Sequence, residues 1–479
     1  MAAGQSRRIV VIGGGITGLA AAYRLREFAS ASEAPVEVIL LEAGNRLGGA
    51  LETVYSDGFT IETGADSFLS EKPAAMNLAE RLGLTRTMVR TQEQFRKTLV
   101  VRNGRLVEIP AGFSLLAPTY FAPILRSPLF SLGGKLRMLL EPLVPRRRAT
   151  TDESLGALVT RRLGRQVLER IAQPLAAGIY TADPAQLSAS ATMPRFVEME
   201  RRYGSLILGL RAAARGREAE SRRVSGARWS LFVSFSRGIG TLVEALAASL
   251  GDVVLRGRRV VALARKPSDG WKVLLAGGAE IDADAIICTT PAASAAKLVR
   301  SHDAALSAQL DEIRYASAAT VNLAFNASDF AAPPAVFGFV VPAAERRNII
   351  AGSFSSLKFA GRAPADKLLA RVFIGGAFNS AILARDDDAL IATARAEFES
   401  LLGVTATPLL AHVRRWPDSM PQYALGHLDR VHSIRARVAR LSGLILAGAY
   451  LDGVGIPDCV RQGEAAAEIV IGSLADSGK

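Results

Sequence analysis

The sequence is poor in the residues that build disulfide frameworks and metal sites. It has two cysteines, Cys288 and Cys459, and four histidines in 479 residues. Neither cysteine belongs to a Cys-x-x-Cys pair, and no His-Glu-x-x-His sequence occurs. A disulfide-stapled secreted domain is therefore excluded, no metal site is predicted, and a reducing compartment such as the cytoplasm is expected.

Aromatic residues and long apolar runs are also scarce. Aromatic residues make up 6% of the chain, and no motif of a nucleic-acid-binding module occurs. No segment reaches the roughly 18 uncharged apolar residues that a membrane-spanning helix needs. The formal charge of +13 favours anionic partners, for which small acids or an anionic membrane surface fit better than nucleic acid.

Glycine, in contrast, is concentrated where the chain begins. RIVVI at residues 8–12 predicts a buried strand, and GGGITG at residues 13–18 leads into a helical pattern. Such a Gly-x-Gly-x-x-Gly turn gives a tight bend, lets a diphosphate approach the backbone and lets the helix pack on the strand. A second apolar strand ends at Glu42, where an acid can accept hydrogen bonds from a ribose. We therefore predict a dinucleotide site formed by Gly13, Gly14, Gly15, Ile16, Thr17, Gly18 and Glu42.

The residues after Glu42 indicate which dinucleotide is bound. EAGNRLGG, residues 42–49, resembles the second diphosphate-contacting signature of the amine-oxidase-like flavoproteins, which implies FAD. FTIETGADSF, residues 59–68, predicts a strand that breaks at Gly64, and in that superfamily the segment flanks the isoalloxazine ring. The candidate flavin contacts in these two segments are Ala43, Arg46, Gly49, Ala50, Gly64, Ala65, Asp66 and Ser67.

The C-terminal part of the chain supplies the rest of the predicted flavin site. Residues 443–474 predict a strand, a glycine-rich loop and a helix from about Asp458. The start of that helix can stabilise negative charge on the reduced flavin. Val260 is expected to cover the adenine, and Trp416 is expected beside the ring, although core packing explains Trp416 equally well. The candidates in the C-terminal loop are Ala449, Val454, Gly455 and Ile456.

Four longer blocks identify a narrower family. They are ETGADSF, GIYTADPAQLS at residues 178–188, RWPDSMPQYALGH at 415–427 and LAGAYLDGVGIPDC at 446–459. With them the chain resembles the oxygen-dependent protoporphyrinogen and coproporphyrinogen oxidases over nearly its whole length. Two positions depart from the pattern, since Ala50 replaces a large residue and Ala182 replaces a glycine of many members.

The resemblance implies an α/β fold with a discontinuous Rossmann-like FAD-binding domain, a mixed-sheet substrate domain and a helical insertion that touches the membrane. The expected order is FAD-binding 1–90, substrate 91–110, helical insertion 111–205, FAD-binding 206–295, substrate 296–430 and FAD-binding 431–479. Residues 111–149 support the insertion independently, because apolar residues cluster there beside cations such as Lys135 and Arg146. A second basic run, residues 210–228, is expected to be a mobile, solvated connector.

By resemblance, the activity is oxidation of a porphyrinogen by O2 with release of H2O2, in the cytoplasm or on the cytoplasmic face of the membrane. Protoporphyrinogen IX is slightly favoured as substrate over coproporphyrinogen III. Asp66 is expected to orient or deprotonate a pyrrole nitrogen or to be a helix-capping turn residue, and Gly178 is expected to face the macrocycle. Arg96 and Lys97 are candidate propionate anchors, and Phe339 and Phe354 are candidate pocket walls or core residues. Contact with neighbouring porphyrin-pathway enzymes and formation of oligomers are open.

Other functions remain open at this stage. A flavin amine oxidase would share the flavin framework, and Tyr423 and Tyr450 could then form its aromatic cage, although the charge of +13 disfavours a cationic substrate. A carotenoid desaturase would lack the blocks at 178–188 and 415–427. A membrane-attached carrier of FAD or porphyrin needs no catalytic side chain and fits the same motifs.

Overall fold

A parallel sheet lies at the centre of the half of the protein that is predicted to bind the flavin. The computed structural model describes residues 6–31, 36–114, 116–223, 230–267 and 269–476. Three distant parts of the chain supply the sheet, because parallel strands need crossover connections. Its strands, in spatial order, are Val254–Leu255, Val36–Leu41, Arg7–Ile12, Ala285–Cys288 and Leu444–Leu446, with each neighbouring pair parallel.

Both faces of this sheet are covered, as its nearly continuous apolar strands require. One face packs against three helices, Ile16–Ala31, Gly240–Leu250 and Ile456–Asp476. The other face carries an antiparallel sheet, with strands Val260–Arg265, Trp271–Leu275 and Glu280–Ala283. Three further helices lie on the same face, namely Ala292–Val299, Ala304–Asp311 and His427–Val438. The strand and helix predicted for the C-terminal part form, and the helix begins two residues before Asp458.

A seven-stranded mixed sheet forms the second half of the protein. Its strands, in spatial order, are Leu410–Pro421, Tyr315–Asn326, Lys367–Gly375, Ala351–Phe354, Gly338–Val340, Thr98–Arg102 and Arg105–Glu108. Only the pair Gly338–Val340 and Thr98–Arg102 is parallel. The helix Asp387–Leu402 covers one face, where Leu390, Ala394 and Phe398 are fully buried.

Helices dominate residues 122–223. They are Ala122–Arg126, Leu132–Leu139, Leu155–Leu163, Arg165–Val167, the π-helix Leu168–Ala172, Gln173–Tyr180, Ala189–Thr192, Pro194–Tyr203 and Leu206–Arg223. The last helix corrects the expected connector at residues 210–228, because helix continues to Arg223, and residues 224–229 lie outside the described residues. Leu206, Ile207 and Leu210 anchor this helix in the buried helical cluster.

Shorter elements complete the chain. The remaining strands are Thr53–Ser56, Phe59–Glu62, Phe68–Leu69, Met88–Arg90, Phe113–Ser114, Ala117–Pro118 and Phe232–Phe235. The remaining helices are Pro73–Arg81, Ser355–Lys358 and the 3-10 turns Thr85–Thr87, Glu93–Phe95, Glu141–Leu143, Gly251–Val253, Ala327–Asp329, Ala343–Glu345 and Ser380–Ala384. The predicted α/β class is confirmed, whereas the six segment boundaries stay a prediction.

Candidate flavin site

The glycine turn at residues 13–18 leaves open space directly over the start of a helix. Gly13 has a φ of +107°, which disfavours a side chain. A Cβ at Gly18 would overlap the carbonyl oxygen of Gly13, so the helix packs closely on the turn. A Cβ at Gly15 would meet nothing within 4 Å. The free backbone N–H groups at the start of helix Ile16–Ala31 therefore face a space that suits an anionic diphosphate.

Glu42 lies against this turn at the end of the neighbouring strand. Its carboxylate accepts hydrogen bonds from the backbone N–H groups of Gly14 and Gly44, each at 2.7 Å. The backbone N–H of Arg258 donates to the carbonyl oxygen of Glu42 at 2.8 Å. This contact brings the chain just before the strand that begins at Val260 close to Glu42. The adenine contact of Val260 stays a prediction.

The second glycine block docks onto the first. The N–H of Gly48 donates to the carbonyl oxygen of Gly14 at 2.8 Å, and Gly15 and Gly48 form a parallel bridge. The Arg46 guanidinium donates to the carbonyl oxygens of Leu47 and Leu51, each at 3.0 Å. The two predicted diphosphate-contacting segments are therefore adjacent.

Gly64 connects these loops to the seven-stranded sheet. A Cβ at Gly64 would overlap the carbonyl oxygen of Ala50 and would lie 3.3 Å from Cζ2 of Trp416. The indole N–H of Trp416 donates to the carbonyl oxygen of Thr63 at 2.8 Å. Thr320 donates to the same oxygen at 2.7 Å. The structure therefore brings Trp416 to the segment predicted to flank the ring, and the close approach explains why position 64 is glycine.

The C-terminal loop closes the site from the other side. A Cβ at Gly463, in helix Ile456–Asp476, would overlap the carbonyl oxygen of Thr17, so the two helices touch backbone to backbone. Lys72 forms an ion pair with Asp458 at 2.6 Å in the first turn of this helix. The helix start with Val454, Gly455 and Ile456 is thus held beside the first glycine turn.

Asp66 lies in a buried network of charges. Both of its oxygens accept from the Lys358 ammonium at 2.9 and 3.0 Å, and Oδ2 also accepts from Arg371 at 2.9 Å. Ser67 donates to Oδ1 at 2.7 Å. A second guanidinium nitrogen of Arg371 donates to the carbonyl oxygen of Gly64 at 2.6 Å. The network therefore fixes the chain from Gly64 to Ser67.

These contacts decide the ionisation of Asp66. Burial by itself would raise its pKa, but the charges of Lys358 and Arg371 hold the pKa of this carboxyl well below its usual range. Asp66 is therefore a permanent anion with two cationic partners. This state suits the positioning of residues 64–67 better than the abstraction of a proton. The helix Pro73–Arg81 has no side-chain cap, so Asp66 does not have the capping role either.

Sequence reasoning missed Lys358 and Arg371. Arg371 was detectable, since it interrupts the apolar strand KLLARVFIG, and a charge inside a buried strand needs a partner. Lys358 gave no such signal, because it lies in a four-residue helix that no pattern singles out. Asp66 is 305 residues from Arg371 in the chain, so only the fold reveals the pairing.

The candidate substrate residues lie in three different environments. Gly178 is exposed in helix Gln173–Tyr180, and a Cβ there would meet nothing within 4 Å. Arg96 and Lys97 are half-exposed and pair with Glu93 and Glu108, each at 3.2 Å. Gly178 therefore borders open space, whereas the two cations lie on the surface.

Phe339 and Phe354 lie in the core. Ser353 lies directly opposite Arg371 on the neighbouring strand, so the two side chains share one face of the sheet. Phe354, the next residue, therefore points to the other face, away from the charge network. Both phenylalanines are almost fully buried, and each ring centroid lies 6.3 Å from that of Phe398. Of the two roles considered for them, the structure supports core packing.

The residues described fit FAD. Open space over Gly15, the helix start, and the carboxylate of Glu42 suit an adenosine diphosphate, and Trp416 with the chain from Gly64 to Ser67 suits a flat ring. The sequence profile of the flavin containing amine oxidoreductases matches residues 16–471. The chain belongs to this family. Its predicted cofactor, FAD, and its predicted class, an FAD-dependent oxidoreductase, agree with family membership.

Relatives of this flavoprotein are similar to it from end to end. A coproporphyrinogen III oxidase of Bacillus subtilis is 34% identical over 462 residues, which are 96% of this chain and 97% of the relative. A protoporphyrinogen oxidase of Bos taurus is 31% identical over 499 residues, which are 99% of this chain and 100% of the relative. The predicted resemblance to porphyrinogen oxidases is thus confirmed.

Solved structures agree with the fold of this flavoprotein. A candidate protoporphyrinogen oxidase from Exiguobacterium sp. 255-15 superposes with a TM-score of 0.85 at 30% identity, covering 98% of this chain and 99% of the other. A putrescine oxidase variant superposes with a TM-score of 0.71 at 16% identity, covering 98% and 99%, and this likeness concerns the fold alone. In the described ranges, no helix is both long and apolar enough to cross a bilayer.

Proposed function

We propose that this flavoprotein oxidises a porphyrinogen to the corresponding porphyrin with O2 as acceptor. The observation that carries the proposal is the end-to-end similarity to oxidases named for porphyrinogens. The site is compatible with it, because Asp66 is a paired anion and so a poor base. A porphyrinogen needs little help from a base, since loss of its pyrrole protons is driven by the gain of aromaticity.

In this scheme the residues of the chain bind FAD and orient the porphyrinogen. FAD held by the two glycine segments supplies a two-electron acceptor. The Asp66 network holds residues 64–67 in place, and Gly178 borders the space proposed for the macrocycle. Arg96 and Lys97 are the proposed propionate anchors. Over three steps the porphyrinogen loses six electrons and six protons, and three O2 become three H2O2.

Two substrates are consistent with this chemistry. Protoporphyrinogen IX is the substrate that the sequence slightly favours. Coproporphyrinogen III is supported by three relatives of that name, which are 31 to 34% identical to this chain. The two differ in carboxylate count, so the number of cations that line the pocket decides between them.

Aerobic turnover with each porphyrinogen separately tests the proposal. Porphyrin fluorescence and H2O2 should rise together in a ratio of one porphyrin to three H2O2, above a control without enzyme that measures autoxidation. A preference of at least tenfold in kcat/KM would identify the substrate. No rise above autoxidation with either substrate, while FAD remains bound, would refute the proposed function.

An anaerobic experiment separates this proposal from the amine oxidase and carrier alternatives. Tyr423 and Tyr450 are both almost fully buried, so neither is available for an aromatic cage. We expect the yellow colour of the bound flavin to bleach with porphyrinogen and to persist with a polyamine. Bleaching by the polyamine alone would favour an amine oxidase, and no bleaching by either would favour a carrier.

An exposed leucine face supports attachment of the helical region to an anionic membrane surface. Leu132 and Leu143 are 84% and 77% exposed, and Leu136, Leu139 and Leu140 between them are also exposed. Their spacing places them on one side of the helix Leu132–Leu139 and the turn that follows. Exposed cations, Arg146 and Arg148, lie nearby in the chain, and each cation near an anionic leaflet adds about 1 kcal/mol.

Cosedimentation with lipid vesicles tests this attachment. The purified protein should bind vesicles that contain phosphatidylglycerol, and binding should weaken with added salt and with purely zwitterionic lipid. The double variant Leu132→Ser and Leu143→Ser should lose binding. Leu409→Ser, at another half-exposed leucine, is the matched control and should bind like the wild type. Equal binding of both variants would contradict the proposal.

A further inference from the structure

The block PQYALGH joins three parts of the molecule. It follows the end of strand Leu410–Pro421 and leads into helix His427–Val438. Its backbone meets the helical region, because Ser188 donates to the carbonyl oxygen of Tyr423 at 2.8 Å and Gly426 donates to Asp152 at 2.9 Å. Its side chains meet both residues 449–453, which we call the flavin loop, and the helix that carries Gly178. No role described above accounts for this convergence.

Tyr423 bridges the two ends of the flavin loop. Its hydroxyl donates to the carbonyl oxygen of Ala449 and accepts from the N–H of Gly453 at 2.7 Å. Tyr423 is 2% exposed, so its hydroxyl depends on these two backbone partners rather than on bulk water. One oxygen atom therefore holds both ends of the loop. The second end, Gly453, lies three residues before helix Ile456–Asp476 begins.

His427 fixes the middle of the same loop. Its Nε2 donates to the carbonyl oxygen of Leu451 at 3.0 Å, and its ring stacks on that of Tyr423 at a centroid distance of 4.0 Å and an angle of 13°. Burial lowers the pKa of His427, which favours the neutral form of the ring. The stacked pair thus makes three hydrogen bonds, to Ala449, Leu451 and Gly453, within a span of five residues.

Gln422 points to the opposite side. Its side-chain amide donates to the carbonyl oxygen of Tyr180 at 3.0 Å, at the C-terminal end of helix Gln173–Tyr180. That helix exposes Gly178, the residue proposed to face the macrocycle. Adjacent residues of one block therefore hold the flavin loop and the proposed substrate helix.

We propose that Tyr423 and His427 are positioning residues for the flavin loop and that Gln422 is a positioning residue for the substrate helix. The first half concerns FAD, and beyond the contacts described it assumes only the family membership. The second half rests on the proposed function. The block is then the element that sets the distance between flavin and substrate, although none of the three side chains takes part in the chemistry.

FAD binding without any porphyrinogen tests the first half. Tyr423→Phe removes the hydroxyl and keeps the ring, and we expect FAD to bind at least about tenfold more weakly, because the carbonyl oxygen of Ala449 and the N–H of Gly453 both lose their hydrogen bond. Visible circular dichroism of the remaining bound flavin should also change. Tyr55→Phe is the matched control, since this half-exposed hydroxyl donates to the carbonyl oxygen of Arg237 away from the loop.

His427 provides a second route to the same contact if Tyr423→Phe does not fold. His427→Gln keeps a donor for the carbonyl oxygen of Leu451, whereas His427→Ala removes it. The glutamine variant should retain tighter FAD binding than the alanine variant. Wild-type FAD affinity and dichroism in Tyr423→Phe, or equal FAD affinity in the two His427 variants, would overturn the first half.

Steady-state kinetics with the preferred porphyrinogen test the second half. Gln422→Leu should raise KM at least about fivefold with FAD affinity unchanged, since one half-buried hydrogen bond to the substrate helix is lost. Gln309→Leu is the control, because its amide donates to Ser433 elsewhere. An unchanged KM, or a loss of FAD in Gln422→Leu, would overturn this half. Inactivity of the wild type would instead refute the proposed function and leave the FAD result standing.

Discussion

The two ends of the flavin site are built in different ways. At the nucleotide end, backbone atoms approach so closely that a Cβ at Gly18 or Gly463 would overlap a carbonyl oxygen. At the ring end, charged side chains from a short helix and a strand far along the chain, Lys358 and Arg371, converge on Asp66. The first arrangement depends on the absence of side chains, and the second depends on their exact partners.

This difference affects both the stability of the fold and the degree to which the protein can adjust the properties of the flavin. Close backbone contacts are insensitive to pH and salt, and they fail abruptly when an atom is added. Buried ions are sensitive to every neighbouring charge, because the low dielectric strengthens each interaction. The nucleotide end is therefore expected to be rigid and intolerant, whereas the ring end can adjust the properties of the flavin.

The largest effect is expected from Gly18→Ala at the nucleotide end. The added methyl group would overlap the carbonyl oxygen of Gly13, and backbone cannot move aside as a flexible side chain can. We expect a loss of more than about 3 kcal/mol in the free energy of unfolding, at or above the usual range for overpacking, and no detectable FAD binding. Thermal unfolding and the flavin absorbance after gel filtration measure both.

Gly472→Ala is the matched control for this substitution. Gly472 lies exposed near the end of the last helix, and a Cβ there would meet nothing within 4 Å. Alanine has the higher helix propensity, so we expect a small stabilisation of at most about 1 kcal/mol. Equal FAD binding in Gly18→Ala and Gly472→Ala would contradict the importance of the close backbone contact.

The next effect is expected at the ring end, where Asp66→Asn and Lys358→Met change the charge in opposite directions. Asp66→Asn leaves two cations without their anion, and we expect a loss of about 3 kcal/mol in stability, as is usual when one partner of a buried pair is removed. The midpoint potential of the bound flavin should rise in Asp66→Asn and fall in Lys358→Met, because a reduced flavin carries more negative charge. Shifts of the same sign in both variants would show a structural effect instead.

Local patterns in the sequence predict the nucleotide end well. The strand, the glycine turn at residues 13–18 and the acid at position 42 lie within one short segment, and each glycine has a geometric reason that the pattern already expresses. Backbone requirements are local, so a single sequence reveals them.

The ring end could not be predicted in the same way. Asp66, Lys358 and Arg371 meet only after two strands of the distant sheet pair in the correct register. Phe354 could be predicted to be buried, but the register of the strands decides which face of the sheet its side chain lies on. The Tyr423 hydroxyl could be predicted to need a buried partner, whereas the identity of Ala449 and Gly453 as partners could not.

A smaller, pH-dependent effect is expected from Glu62→Gln. Burial raises the pKa of Glu62 to about 7, although Arg362 and two hydrogen bonds oppose this. The folded protein then binds more protons than the unfolded chain between about pH 4.5 and 7, so wild-type stability should fall as pH rises through this window. Glu62→Gln should remove a stability difference of about 2.5 kcal/mol between pH 5 and pH 8. Urea unfolding at pH 5 and pH 8 measures it, and parallel curves for both proteins would contradict the assignment.

The smallest effect on stability is expected from Arg96→Ala and Lys97→Ala. Both side chains are more than half exposed, and their pairs with Glu93 and Glu108 are screened by solvent, so each loss should stay within about 0.5 kcal/mol. A propionate anchor should nevertheless raise KM for the porphyrinogen, and more for a substrate with four propionates than for one with two. Glu93→Ala removes the partner of Arg96 and keeps the cation, so it should leave KM unchanged or lower it. Unchanged KM in both cation variants would contradict this role and would assign propionate anchoring to other cations, nearer the charged ring end.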